Sequence, residues 1–118
     1  MESIIPQIKE LMEKIKSETK DYDPILLAEQ NIDLSRLYGN LTEEIATLEH
    51  AYDELRAKNL DNDFDMKINK LDILARKSDE HLALKNAQGV EKALIQMIRA
   101  NSRLIKIKEN EISVSKYQ

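Results

Sequence analysis

The 118-residue sequence predicts an all-α protein: a short N-terminal helix plus a long antiparallel helical hairpin, oligomeric in its working form. Two observations predict the class. The composition is rich in Leu, Ile, Ala, Glu and Lys, with two Gly, two Pro, one Phe and no Trp, which favours helices and starves strands and turns. Apolar residues also recur at alternating spacings of three and four over most of the chain, the period of one helix face. This length supports one domain with a single small core. Residues 1–20 form the short helix and residues 21–118 the hairpin domain.

The first segment, from Glu2 to about Lys16, carries Ile4, Ile5, Ile8, Leu11, Met12 and Ile15 at helical spacing, and its Pro6 fits only a first turn. It reads as a flexible or partner-dependent helix. Asp23-Pro24 then marks a strong start, an N-cap acceptor followed by proline at the first helical position. From there Leu34, Leu37/Tyr38, Leu41, Ile45, Leu48, Tyr52 and Leu55 form a heptad-like seam. Gly39 interrupts the seam, and Asn40 with Glu43 fits a capping box. The seam keeps its phase across Gly39, so one helix ending near Lys58 is expected, with Gly39 a candidate bend.

The stretch NLDNDFD (59–65) is the clearest break, and Asp63 or Asp65 can cap the next helix. Leu71, Leu74, Leu82, Ala87, Val90, Leu94, Met97, Ile98, Ile105 and Ile112 continue a helical pattern to about residue 112. Two helices of this length span roughly 50–65 Å at 1.5 Å per residue. A single hairpin that long buries little surface, so self-association is the expected remedy.

Nothing in the sequence makes a case for an enzyme. His50 and His81 belong to no metal or nucleophile motif; His50 reads as solvent-facing and His81 as a residue of the core edge. Neither glycine belongs to a phosphate loop, and zero cysteines exclude disulfides and thiolate metal sites. Asp61, Asp63 and Asp65 resemble the start of a calcium loop. Met66 stands where the turn needs glycine, however, and Asp72 where a bidentate glutamate belongs, so capping explains these acids better. No cofactor is expected. No apolar run approaches the roughly 20 residues of a membrane span, and MESIIPQIKE lacks the features of a signal peptide. A cytoplasmic location is therefore expected, the host cytoplasm if the chain is phage-encoded.

Charge carries the strongest functional signal. Residues 1–65 hold 7 basic and 16 acidic residues, and residues 66–118 hold 11 basic and 6 acidic. The net charge of −4 hides a dipolar molecule, a pattern that suits an anionic partner or head-to-tail self-association. Between Glu91 and Glu109 there is no acid, yet Lys92, Arg99, Arg103, Lys106 and Lys108 all lie there. On a helical projection Lys85, Lys92, Arg99, Arg103 and Lys106 share a sector of roughly 60°, with the apolar positions opposite. Lys108 departs from the group and falls on the apolar side. A solvated face ordinarily mixes signs, because Glu–Lys pairs four residues apart support the helix. Two readings stay open: a phosphate-binding surface, or a face whose acids come from a neighbouring helix or subunit. With aromatics scarce, nucleic acid would be held by its backbone, without sequence readout.

The order of elements resembles the UvsY-type recombination mediator proteins of T-even-type bacteriophages. The likeness is carried by DYDPILLAEQNIDLSRLY (21–38), by the basic pair of LRAK (55–58), and by KINKLDILARKSDEHLALK (67–85) with NSRLIKIKENEI (101–112). Within the last, Arg103 is followed by Ile107 and Lys108, as in the family. The resemblance implies a small helical protein without a catalytic site. It would form a homo-oligomeric ring, bind single-stranded DNA, and help a recombinase replace the single-stranded-DNA-binding protein. It also implies DNA contact at Arg56 and Lys58. This sequence departs from the family immediately afterwards, with NLDNDFD where tyrosines and a glycine are usual. The reading from a different class is a structural or adaptor protein whose hairpin pairs with another helical protein.

Overall fold

The computed structural model describes residues 2–18, 23–62 and 78–116. Three helices account for these residues almost entirely: α1 (Ile5–Glu18), α2 (Pro24–Asn62) and α3 (Asp79–Lys116). No strand occurs among the described residues. The long helices α2 and α3 pack together as a hairpin-like pair, and α1 lies against both. The molecule measures 76 × 25 × 19 Å along its principal axes.

The start of α2 follows the sequence signal. Asp23 Oδ1 accepts a hydrogen bond from the Ile25 amide at 3.1 Å, and the Asp23 carbonyl accepts the Leu27 amide at 3.0 Å. From Pro24 the helix runs unbroken through Gly39, so the Asn40–Glu43 pair caps nothing. It ends at Asn62, about one turn beyond the expected Lys58. The sequence reading carries one unbroken helical pattern from about residue 65; its part before residue 78 lies outside the described residues, and the structure interrupts the pattern at Ser78. The chain bends at Ser78, whose Oγ accepts the His81 amide at 3.2 Å and whose carbonyl accepts the Leu82 amide. Asp79 and Glu80 in the first turn complement the helix dipole, so Ser78-Asp79-Glu80 is a complete start signal. The proposed caps Asp63 and Asp65, most of the calcium-like run, and the seam residues Leu71 and Leu74 lie outside the described residues.

The core lies in the middle of the rod. Leu34, Leu41 and Ile45 of α2 meet Leu84, Ala87, Val90 and Leu94 of α3, and Ile8 and Ile15 of α1 close the third side. Each fully buried aliphatic side chain contributes roughly 1.5–3 kcal/mol relative to exposure. The partner that the first segment requires is thus the chain's own hairpin. Glu44 of α2 fixes where α1 begins: its carboxylate accepts the Ile4 amide at 3.0 Å and the Ser3 hydroxyl at 2.9 Å. Ser3 Oγ in turn accepts the Ile5 amide at 3.2 Å.

One polar layer interrupts the seam. Gln30 and Asn101 are buried and joined by a 3.3 Å hydrogen bond from Asn101 Nδ2 to Gln30 Oε1. Beside them Asn31 Nδ2 donates to Ser102 Oγ at 3.2 Å and to the Ile98 carbonyl at 3.4 Å. Gln30 Nε2 and Asn31 Oδ1 are buried without a hydrogen-bond partner. A layer of this kind fixes register at a cost in stability. Asn101→Ala is therefore expected to destabilise by about 1–3 kcal/mol, because it strands the Gln30 carbonyl. Gln30→Leu combined with Asn101→Leu should recover that loss, read by urea denaturation of the two single variants and the double. A double variant as unstable as Asn101→Ala would show that the layer is not a replaceable pair.

Candidate nucleic-acid interface

The antiparallel packing sets which residues stand level. Asn31 meets Ile98 and Ser102, and the ring of Tyr52 lies 5.2 Å from that of His81. Residues of α2 are thus matched to residues of α3 over the full overlap, and the seven sequence-predicted DNA contacts separate into two groups. Arg56 and Lys58 lie near the end of α2, level with the start of α3. Lys92 lies near the middle of the rod, and Arg99, Arg103, Lys106 and Lys108 occupy the other half. By helix rise, Arg56 and Arg103 are about 40 Å apart along its axis. The two groups do not form one site.

The second group sits where the helical projection places it. The core-facing side of α3 is fixed by Ala87, Leu94 and Asn101, all buried and seven residues apart. Lys85, Lys92, Arg99, Arg103 and Lys106 project from the opposite side and are exposed. They span about 32 Å of helix. None of the five makes an ion pair with a described residue, so the described part of the hairpin does not supply the acids that a neutralised face requires. Cations this open to solvent are free to neutralise phosphates and so release the counterions condensed on a polyanion. No aromatic residue occurs in the described part of this face, so it offers no aromatic platform for a base.

Lys108 is the exception the projection anticipates. It continues the seam from Leu94 and Asn101, its side chain is only 35% exposed, and it pairs with Glu111 at 3.3 Å. Its role is more that of a seam residue than of a member of the outer stripe. At the far end, Arg56 is exposed and holds its guanidinium 5.9 Å from the Tyr52 ring centre, a cation–π distance. Lys58 is exposed one turn from the end of α2.

Both histidines lie as expected. His50 is solvent-facing and 3.0 Å from Glu54, while His81 is half-buried against Tyr52. Among the described residues no three His, Cys, Asp or Glu side chains gather as a metal site. No described helix is long and apolar enough to cross a membrane. The sequence reading missed the polar layer beside the stripe, although Asn101 stands at a seam position where its neighbours seven and fourteen residues back are Leu94 and Ala87. No family model matches the chain, and neither a curated protein nor a solved structure matches it.

Proposed function

We propose that this protein is a non-enzymatic, homo-oligomeric binder of single-stranded DNA that helps load a recombinase in place of the single-stranded-DNA-binding protein. The observation that carries the DNA part is the outer face of α3. Lys85, Lys92, Arg99, Arg103 and Lys106 are exposed, share one sector and have no acid of the described hairpin within ion-pair distance. Recombinase loading rests on the resemblance to the UvsY-type mediators alone. The mechanism is stoichiometric: an oligomer holds the strand by its phosphates, loosens the competing protein and offers the recombinase a nucleation point. With no aromatic stacking platform, affinity depends on counterion release and is indifferent to sequence.

Titration of labelled single-stranded DNA across salt concentrations tests the binding step. For a strand engaging four or five cations, the logarithm of the affinity should fall with the logarithm of salt with a slope of about −3, at roughly −0.7 per contact. An intact protein that shows no binding at low salt would sink the proposal. Recombinase loading is tested separately, by filament assembly on strands precoated with single-stranded-DNA-binding protein.

A second reading draws on the acids of α2. Glu29, Glu43, Glu49 and Asp53 are exposed, so the basic face of one chain has acidic partners available on another helical protein or another copy. In that adaptor reading, assembly is salt-sensitive and DNA is ignored.

A further inference from the structure

One stripe on the side of α2 away from the core is uncharged over three heptads, with Glu29, Arg36 and Glu43 along one edge. It begins with Ile25, Ala28 and Ile32, and the two isoleucines are 70% and 69% exposed. Ser35, Gly39, Thr42 and Ala46 continue it at the same three-and-four spacing, and all are exposed. In a chain that is 34% charged, seven successive seam positions without a charge form a second seam, not an ordinary solvated face. Thr42 turns its hydroxyl back to the Tyr38 carbonyl at 2.8 Å, which leaves its methyl group outward.

Gly39 adds an independent observation. It lies mid-helix with no positive φ, and a Cβ added there would meet nothing within 4 Å. Glycine is a poor helix former, and no contact inside this chain requires it. The space beside it is open.

We infer that this face is a twofold interface, with α2 of a second copy packed antiparallel across it. The occupant follows from the order of sizes along the stripe. Both large residues stand in its N-terminal half, and Ser35, Gly39, Thr42 and Ala46 fill the C-terminal half. Parallel pairing would set isoleucine on isoleucine and leave glycine facing glycine. An antiparallel pair about an axis near residues 33–35 sets Ile25 and Ile32 of each copy into the small residues of the other. That arrangement is self-complementary, as a twofold contact must be. On the flank, Glu29 comes opposite Arg36 of the second copy, twice per dimer. Arg36 already leans on Asp33 at 3.3 Å and is the one cation on this part of α2. Small residues let helix axes approach closely, toward the lower end of the usual 8–10 Å.

Self-association is measured without DNA, so a chain that dimerises yet ignores DNA keeps this interface and loses the DNA proposal. Sedimentation of the full chain should show a concentration-dependent dimer or larger species. Ile32→Lys should weaken it by about 100-fold, because each interface then buries two unpaired charges. Gly39→Leu should weaken it as well while leaving helix content by circular dichroism unchanged or higher, which separates interface loss from misfolding. Because the chain has no cysteine, single-cysteine variants report orientation cleanly. A mixture of Ile25→Cys and Thr42→Cys chains should form the mixed disulfide in preference to either homodimer. A monomer up to about 1 mM, an oligomer indifferent to Ile32→Lys, or preferential 25–25 crosslinking would each overturn the interface.

Discussion

Leu94→Ala is expected to lower the unfolding free energy by about 3 kcal/mol, within the usual range of about 2–5. Leu94 is fully buried where all three helices meet, packed in the cluster that holds Ile8, Leu41 and Val90. Truncation removes its transfer free energy and leaves a cavity that three crossing helices cannot collapse to fill. Domains of this size are stable by only about 5–15 kcal/mol, so the loss is a large share of the total. Leu82→Ala is the matched control. Leu82 is exposed on the same helix, and its truncation should stay within about 0.5 kcal/mol. Urea denaturation of both variants measures the difference, and equal effects would contradict the placement of the core.

The second large effect is on DNA. Replacing Arg99, Arg103 and Lys106 together with alanine should flatten the salt slope for single-stranded DNA by about 2, since each lost phosphate contact removes about 0.7. The same arithmetic gives about a 100-fold loss of affinity near 0.1 M salt. Stability should barely change, because the three side chains are exposed and make no ion pair with a described residue. Arg56→Ala with Lys58→Ala tests the other end of the rod, where the family resemblance implies contact. If the triple variant binds normally and the double variant does not, the strand follows the end of α2 and the stripe has another purpose. If each set costs affinity, the DNA path must connect points about 40 Å apart.

The wet and dry sides of the helices were legible because side-chain direction follows from a fixed 100° step. The sector assigned to Lys85, Lys92, Arg99, Arg103 and Lys106 is exposed, and Lys108 sits on the seam as its phase requires. Capping was legible at Asp23, where an acceptor and a proline coincide. It was missed at Ser78, because a continuous apolar pattern there masks a complete start signal. Leu82 shows the limit of reading pattern without phase. Counted back from Leu94, the seam passes through Val90, Ala87 and Leu84, and Leu82 falls about 120° away.

The sequence by itself determined the helices, their inward faces and the uneven distribution of charge. These are local properties, set by periodicity and by side chains within one or two turns. Only the tertiary structure decided which helix meets which, and in what register. Ile112 lies on the seam by phase yet is 50% exposed, because α2 begins at Pro24, level with about residue 107 of α3. The docking of α1, its tether to Glu44 and the Gln30–Asn101 layer depend in the same way on residues 40 to 71 positions apart. Contacts at that range are selected by how whole surfaces fit, and no local window of the chain contains both halves of the fit. The same holds for the outer cations. Their sector could be computed from the sequence, but whether an acid of the hairpin lay within reach depended on the packing of α2 against α3.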